Sequence, residues 1–175
     1  MAAIDAANDD ASDTSIGSPN LDTVASCSTV DDDPNDGFCG LLPGNTYMIL
    51  ERESLRAMTL TNEGLRLKHI EEGQSLNNRW LCVEKNGWLG LQEPKSGKYI
   101  GHDGKSGVRA AANGFHAWEY ITTRDRPGGV YQLLVPHWWE ALRVIVVAED
   151  GESLITRQHG ETLWRFLRTS GTGSN

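Results

Sequence analysis

At 175 residues and 19.2 kDa, with 38% hydrophobic and 23% charged residues, the chain has the size of one folded domain plus tails. Its net charge of −8 is unevenly placed: residues 1–38 hold nine Asp and no Glu, Lys or Arg, which leaves 15 acidic residues against 16 basic ones elsewhere. A nearly neutral remainder excludes a nucleic-acid binder working through a cationic face, and a Lys/Arg-rich helix lying on a membrane.

In chain order, residues 1–38 come first. They are rich in Ala, Ser, Asp, Asn and Thr with one aromatic, Phe38, and bury too little apolar area to offset the entropy of ordering. A disordered acidic arm is expected there, with 31–37 as the hinge into the domain. The first residues lack the cationic stretch and apolar run of a signal peptide, and no segment approaches the roughly 20 apolar residues that span a bilayer. Cys27, Cys39 and Cys82 make an odd count without metal-type spacing. A reduced, cytoplasmic protein without metal or cofactor is the expectation, with Cys82 as a packed thiol. Residues 170–175 read as a flexible end.

Between these tails, 39–169 carries short β-type runs broken by Gly, Pro and Asn. Examples are Tyr47-Met48-Ile49-Leu50, Trp80-Leu81-Cys82-Val83, Tyr131-Gln132-Leu133-Leu134-Val135 and Val144-Ile145-Val146-Val147. No stretch keeps apolar residues at helical spacing for three turns, so the domain is all-β. A repeat organises it. Gly-terminated turns at Asn62-Glu63-Gly64, His102-Asp103-Gly104 and Glu149-Asp150-Gly151 are followed by Trp80, Trp118 and Trp164 after 16, 14 and 13 residues. Upstream, 55–61 aligns with 142–148. Units of about 40 residues cannot close a core alone. Together, three of them form a six-stranded barrel capped by three hairpins, a β-trefoil. Trp80, Trp118 and Trp164 are expected as its core anchors, each opening a strand, and Trp88 as a further core residue.

The run Ser96-Gly97-Lys98-Tyr99-Ile100-Gly101-His102-Asp103-Gly104, leading into Val108-Arg109-Ala110 and Trp118, resembles the fascin-like β-trefoil repeat. The whole chain is similar to small single-trefoil fungal proteins of that superfamily. Fascins bundle actin with several trefoils in one chain, so the resemblance does not extend crosslinking to one. Ricin-type lectin trefoils are a looser match. Their Gln-x-Trp motif stands here as Asn78-Arg79-Trp80, His116-Ala117-Trp118 and Thr162-Leu163-Trp164, without Gln, so their galactose site does not carry over.

Candidate chemistry gathers where the repeats disagree. Tyr47 to Leu55 spans eight positions and Tyr131 to Leu142 eleven, so the third unit has an insertion centred on Pro136-His137-Trp138-Trp139-Glu140. Exposed indoles forfeit roughly 1.5–3 kcal/mol of burial each. They either plug the barrel end or stack on a sugar ring or flat ligand. The expected contacts are His137, Trp138, Trp139 and Glu140, with His116 and His102 as neighbours. His116 and Trp118 would share a strand face, with Glu119 on the other. Two readings follow. One is a recognition module for a small molecule, glycan or protein, lectin-like and monomeric or weakly dimeric. The other is a small cyclase or isomerase in which His137, His116, Glu140 or Asp103 transfers protons in an apolar pocket. Lys95, Lys98, Lys105 and Arg109 form the densest basic run, read as a solvated surface.

Overall fold

The computed structural model describes residues 39–70, 77–138 and 141–169. The acidic arm and the C-terminal end expected from the sequence lie outside the described residues. Among the described residues twelve strands follow one another: β1 (Thr46–Glu51), β2 (Ala57–Thr61), β3 (Gly64–Lys68), β4 (Trp80–Lys85), β5 (Trp88–Gln92), β6 (Tyr99–His102), β7 (Val108–Ala112), β8 (Thr122–Arg126), β9 (Val130–His137), β10 (Ala141–Val147), β11 (Leu154–Arg157) and β12 (Trp164–Thr169). No helix among the described residues is long and apolar enough to cross a membrane.

Antiparallel pairing closes β1, β4, β5, β8, β9 and β12 into a six-stranded barrel. Its narrowest seam, between β5 and the start of β8, is the bridge Leu89–Ile121, made by two reciprocal backbone hydrogen bonds of 3.0 and 2.8 Å. The hairpins β2–β3, β6–β7 and β10–β11 form the cap. They meet one another directly: Leu67 N–H donates to the Glu152 carbonyl at 2.8 Å and Thr156 N–H to the Ser106 carbonyl at 2.7 Å. Each of the three repeat glycines sits at positive φ, Gly64 at 105°, Gly104 at 81° and Gly151 at 72°, a region closed to most side chains. This is the trefoil arrangement expected from the repeat.

The three units superimpose through the barrel register. Tyr47 pairs with Trp80, Tyr131 with Trp164, and Leu89 with Ile121. Trp80 and Trp164 are fully buried, and their indole N–H groups donate to the carbonyls of Met58 and Ile145, at equivalent places in β2 and β10. Here the sequence reading needs a correction. Trp118 is no core anchor: it is 47% exposed and belongs to the 3-10 turn Ala117–Glu119 ahead of β8. Ile121, three residues on and fully buried, fills the second unit's anchor position. Having no indole N–H, it asks nothing of Ile100, the buried counterpart of Met58 and Ile145. His116 and Trp118 therefore share no strand face, and Glu119 is buried while Trp118 faces out. Trp88 does open β5, but it is only half-buried and packs outside the core.

The β1–β2 and β5–β6 connections are built alike. Glu51 accepts the amides of Glu53 and Ser54 at 3.0 and 2.7 Å; Glu93 accepts those of Lys95 and Ser96 at 3.1 and 2.6 Å. Burial pushes both carboxyls up, but the Ser and backbone donors outweigh it and leave them below the usual carboxylate range. At the matching place in the third unit stands fully buried Val135, and the connection takes another course.

Candidate functional site

That third connection carries the insertion. Where the Glu51 amide bonds the Arg56 carbonyl across five positions, Val135 pairs with Arg143 across eight. The extra residues lengthen β9 and β10 into a projecting hairpin in which Pro136 pairs with Leu142 and His137 with Ala141. Trp138 begins its tip at φ 52°, a left-handed conformation that bulky residues seldom adopt, and its side chain is 66% exposed. Trp139 and Glu140, both expected as contacts, lie outside the described residues.

Across from the hairpin runs the connection between β7 and β8. Its 3-10 turn is fixed by buried Glu119, whose Oε2 accepts the His116 amide at 3.0 Å. The turn rests directly on β6. A Cβ on Gly101 would lie 2.7 Å from the Trp118 carbonyl oxygen, so only glycine permits this approach. Trp118 then stacks on the ring of His102, with centroids 5.5 Å apart.

His102 and His137 are both buried, 5.5 Å apart between ring centroids, and Trp138 meets His137 edge-on at 6.1 Å. Each exposed indole thus rests on a buried imidazole. His102 Nδ1 accepts the Gly104 amide at 3.1 Å. His137 Nε2 lies 3.2 Å from the Lys105 carbonyl. Burial chiefly, then the neighbouring His137 and more distantly Arg143, hold His102 below the ordinary histidine range; Asp103 and the Pro136 carbonyl pull the other way.

Linkage gives that shift a sign. An unfolded chain protonates this histidine near pH ~6.5, and the folded one resists to lower pH. Its contribution to stability is therefore complete above that value and is lost as pH falls through the folded value. Thermal melts between about pH 7.5 and 5 should show the midpoint falling more steeply in wild type than in His102→Gln.

Further rings extend the wall. Trp88 stacks on Tyr120 (5.6 Å, 7° between planes), Tyr120 meets Phe115 edge-on at 5.3 Å, and Phe115 stacks on Tyr99 at 5.6 Å. Between hairpin and connection lies a cleft of about 280 Å³, walled chiefly by Trp88, His102, Trp118, Tyr120, Pro136 and Trp138.

The other expected contacts separate from this cleft. His116 is exposed and folds back over Gly114, where its Nε2 would lie 2.6 Å from an added Cβ. Asp103 uses Oδ1 to accept the amides of Lys105 and Gly107 at 2.8 and 3.0 Å, and those donors hold its carboxyl below the usual range. Lys98 is tied to Asn113 and the Ala111 carbonyl, at 2.6 and 3.2 Å. Cys82 is buried, its thiol pushed up to about 12 by burial, and so unreactive. Among the described residues no group of three His, Cys, Asp or Glu is placed to hold a metal ion. Trp88 and Tyr120 were missed as site residues. Tyr120 immediately precedes the true anchor Ile121, and strand alternation from that anchor would have turned it outward.

The barrel's symmetry supplies a comparison within the molecule. Between the β1–β2 connection and residues 157–163 lies a groove of about 570 Å³, in the position equivalent to the cleft. Its walls carry Arg52, Arg56 and Arg157 against Glu53, Glu149 and Glu161. The same architectural niche is ionic in one copy and aromatic in another.

No family model matches the chain, and no curated protein does. Solved structures do. A ricin B-like lectin from Macrolepiota procera in complex with lactose is 16% identical, with a TM-score of 0.61 over 75% of this chain and all of that one. The designed 3-fold symmetric protein ThreeFoil is 19% identical, with a TM-score of 0.57 over 70% of this chain and 97% of its own. The GlcNAcα1-4Gal releasing endo-β-galactosidase from Clostridium perfringens matches with a TM-score of 0.62 at 12% identity over 72% of this chain, which spans a third (33%) of the enzyme. At these identities the likeness concerns the fold, and the barrel, its cap and its three-unit register agree with it. The chain is a β-trefoil.

Proposed function

We propose that the protein is a non-catalytic, lectin-like recognition trefoil that holds a glycan or similar ring-shaped small molecule in the aromatic cleft. The observation carrying this reading is the pair of exposed indoles, Trp118 and Trp138, brought from separate units to one cleft and each backed by a buried imidazole. Large aromatic faces left in solvent on a braced frame suit stacking against the apolar face of a sugar. Proton transfer has weaker support. His102 Nδ1 is taken by the Gly104 amide, the Asp103 carboxylate is spent on its own turn, and His116 stands apart.

Lactose, the ligand in the lectin neighbour, is the first probe, followed by a panel of neutral mono- and disaccharides. Calorimetric titration is expected to show binding that Trp118→Ala or Trp138→Ala weakens by more than tenfold, with urea midpoints nearly unchanged. A large loss of stability in either variant, without ligand binding in wild type, would instead make the indoles a plug over the barrel.

A further inference from the structure

Resting on that reading, we infer that the cleft selects an uncharged acetamido sugar, whose carbonyl accepts hydrogen bonding from among the cleft's side-chain donors, the indole N–H groups of Trp88 and Trp118 and the hydroxyl of Tyr120. The inference follows from what the cleft offers a ligand. Among the described residues no carboxylate, amide, ammonium or guanidinium side chain lines it. The Nδ1 acceptor of His102 is already taken by the Gly104 amide. The indole N–H groups of Trp88 and Trp118 and the Tyr120 hydroxyl make no hydrogen bond within the described protein, and none of them is buried out of reach. Two of these three groups only donate, and the phenol does both.

A plain hexose presents hydroxyls whose hydrogens need acceptors, and among the described residues the lining side chains supply one phenol oxygen. Enclosing those hydroxyls unpaired is costly. An acetamido group reverses the match: its carbonyl is a strong acceptor and its methyl packs on an indole face. The donors are also held still before binding. Trp88 is stacked on Tyr120 at 5.6 Å and Trp118 on His102 at 5.5 Å, so little side-chain freedom remains to lose. At about 280 Å³ the cleft lies at the lower end of ligand pockets, which run from ~300 Å³ upward, and has room for one ring. The equivalent groove beside β1–β2, lined by arginines and glutamates, shows that the neutral described lining belongs to this copy and not to the fold.

The test is calorimetric titration of the full chain with N-acetylglucosamine and N-acetylgalactosamine against glucose, galactose and glucosamine. Each N-acetyl sugar is expected to bind about tenfold more tightly than its parent hexose, the worth of one good hydrogen bond, and protonated glucosamine no better than glucose. Trp118→Phe and Trp88→Phe keep the ring and remove the N–H. Each should shrink the N-acetyl preference, read as the ratio of N-acetyl-sugar to parent-hexose affinity in the same variant, severalfold, with the thermal midpoint unchanged. Equal affinity for the acetylated and parent sugars would overturn this inference and leave a sugar-binding cleft. Persistence of the preference in both Phe variants would overturn the donor assignment, and binding of no sugar at all would overturn the lectin-like reading itself.

Discussion

Trp164→Ala is expected to lower the unfolding free energy by about 3–5 kcal/mol, close to the whole stability of a modest domain. The side chain is fully buried at the junction of β12 and β9, opposite Tyr131, with Phe166 two residues on and also buried. Truncation leaves a large cavity there and strips the Ile145 carbonyl of its indole donor, placed at 3.3 Å. Trp80→Ala should behave alike through Met58, where the bond is 2.9 Å. The second unit separates two assignments of the repeat. Ile121→Ala should cost about 2–5 kcal/mol, whereas Trp118→Ala, at the expected tryptophan spacing, should cost about 1 kcal/mol or less. Urea denaturation of the four variants reads this directly. A Trp118→Ala loss as large as that of Trp164→Ala would restore Trp118 to the core and remove it from the cleft.

That contrast shows how far the fold was legible in the sequence. Turn glycines could be recognised because positive φ at Gly64, Gly104 and Gly151 admits few alternatives, so their spacing exposes the units. The insertion was visible too, since a hairpin lengthened by three residues must lengthen the interval between Tyr131 and Leu142. Anchor identity was not. Two units use tryptophan, the second uses isoleucine, and a surface tryptophan happens to stand three residues earlier. Residue type matched where register did not, and register is fixed by a pairing with Leu89 that no local pattern encodes. The meeting of His102 with His137, 35 positions apart, has the same character. It depends on where β6 ends beside β9. Trp88 was misread for a related reason: an aromatic opening a barrel strand suits the core, yet its partner Tyr120 lies outside it.

The second large effect is expected from a residue with no side chain. Gly101→Val should abolish ligand binding in the cleft while leaving the barrel folded. An added Cβ would lie 2.7 Å from the Trp118 carbonyl oxygen and 3.1 Å from both Cγ and Oε1 of Glu119. The nearest of these atoms is backbone and cannot swing aside, so the 3-10 turn must lift from β6. Lifting it breaks the stack of Trp118 on His102 and displaces Tyr120, the support of Trp88, so every donor assigned to the ligand moves at once. The third unit makes the same close approach with the roles exchanged: Val146 occupies the strand position, and Gly160 in the facing connection leaves it room. A bulky residue is thus acceptable on either side of this contact but not on both. Overpacking costs about 1–3 kcal/mol, less than the loss of a buried tryptophan, because the turn has solvent to move into. Gly101→Ala should weaken binding in the same direction by a smaller factor. The measurements are titration with the tightest sugar and urea denaturation of both variants. Undiminished affinity in Gly101→Val would mean that the cleft does not depend on how the 117–119 turn is seated, and would take Trp118 out of the binding site.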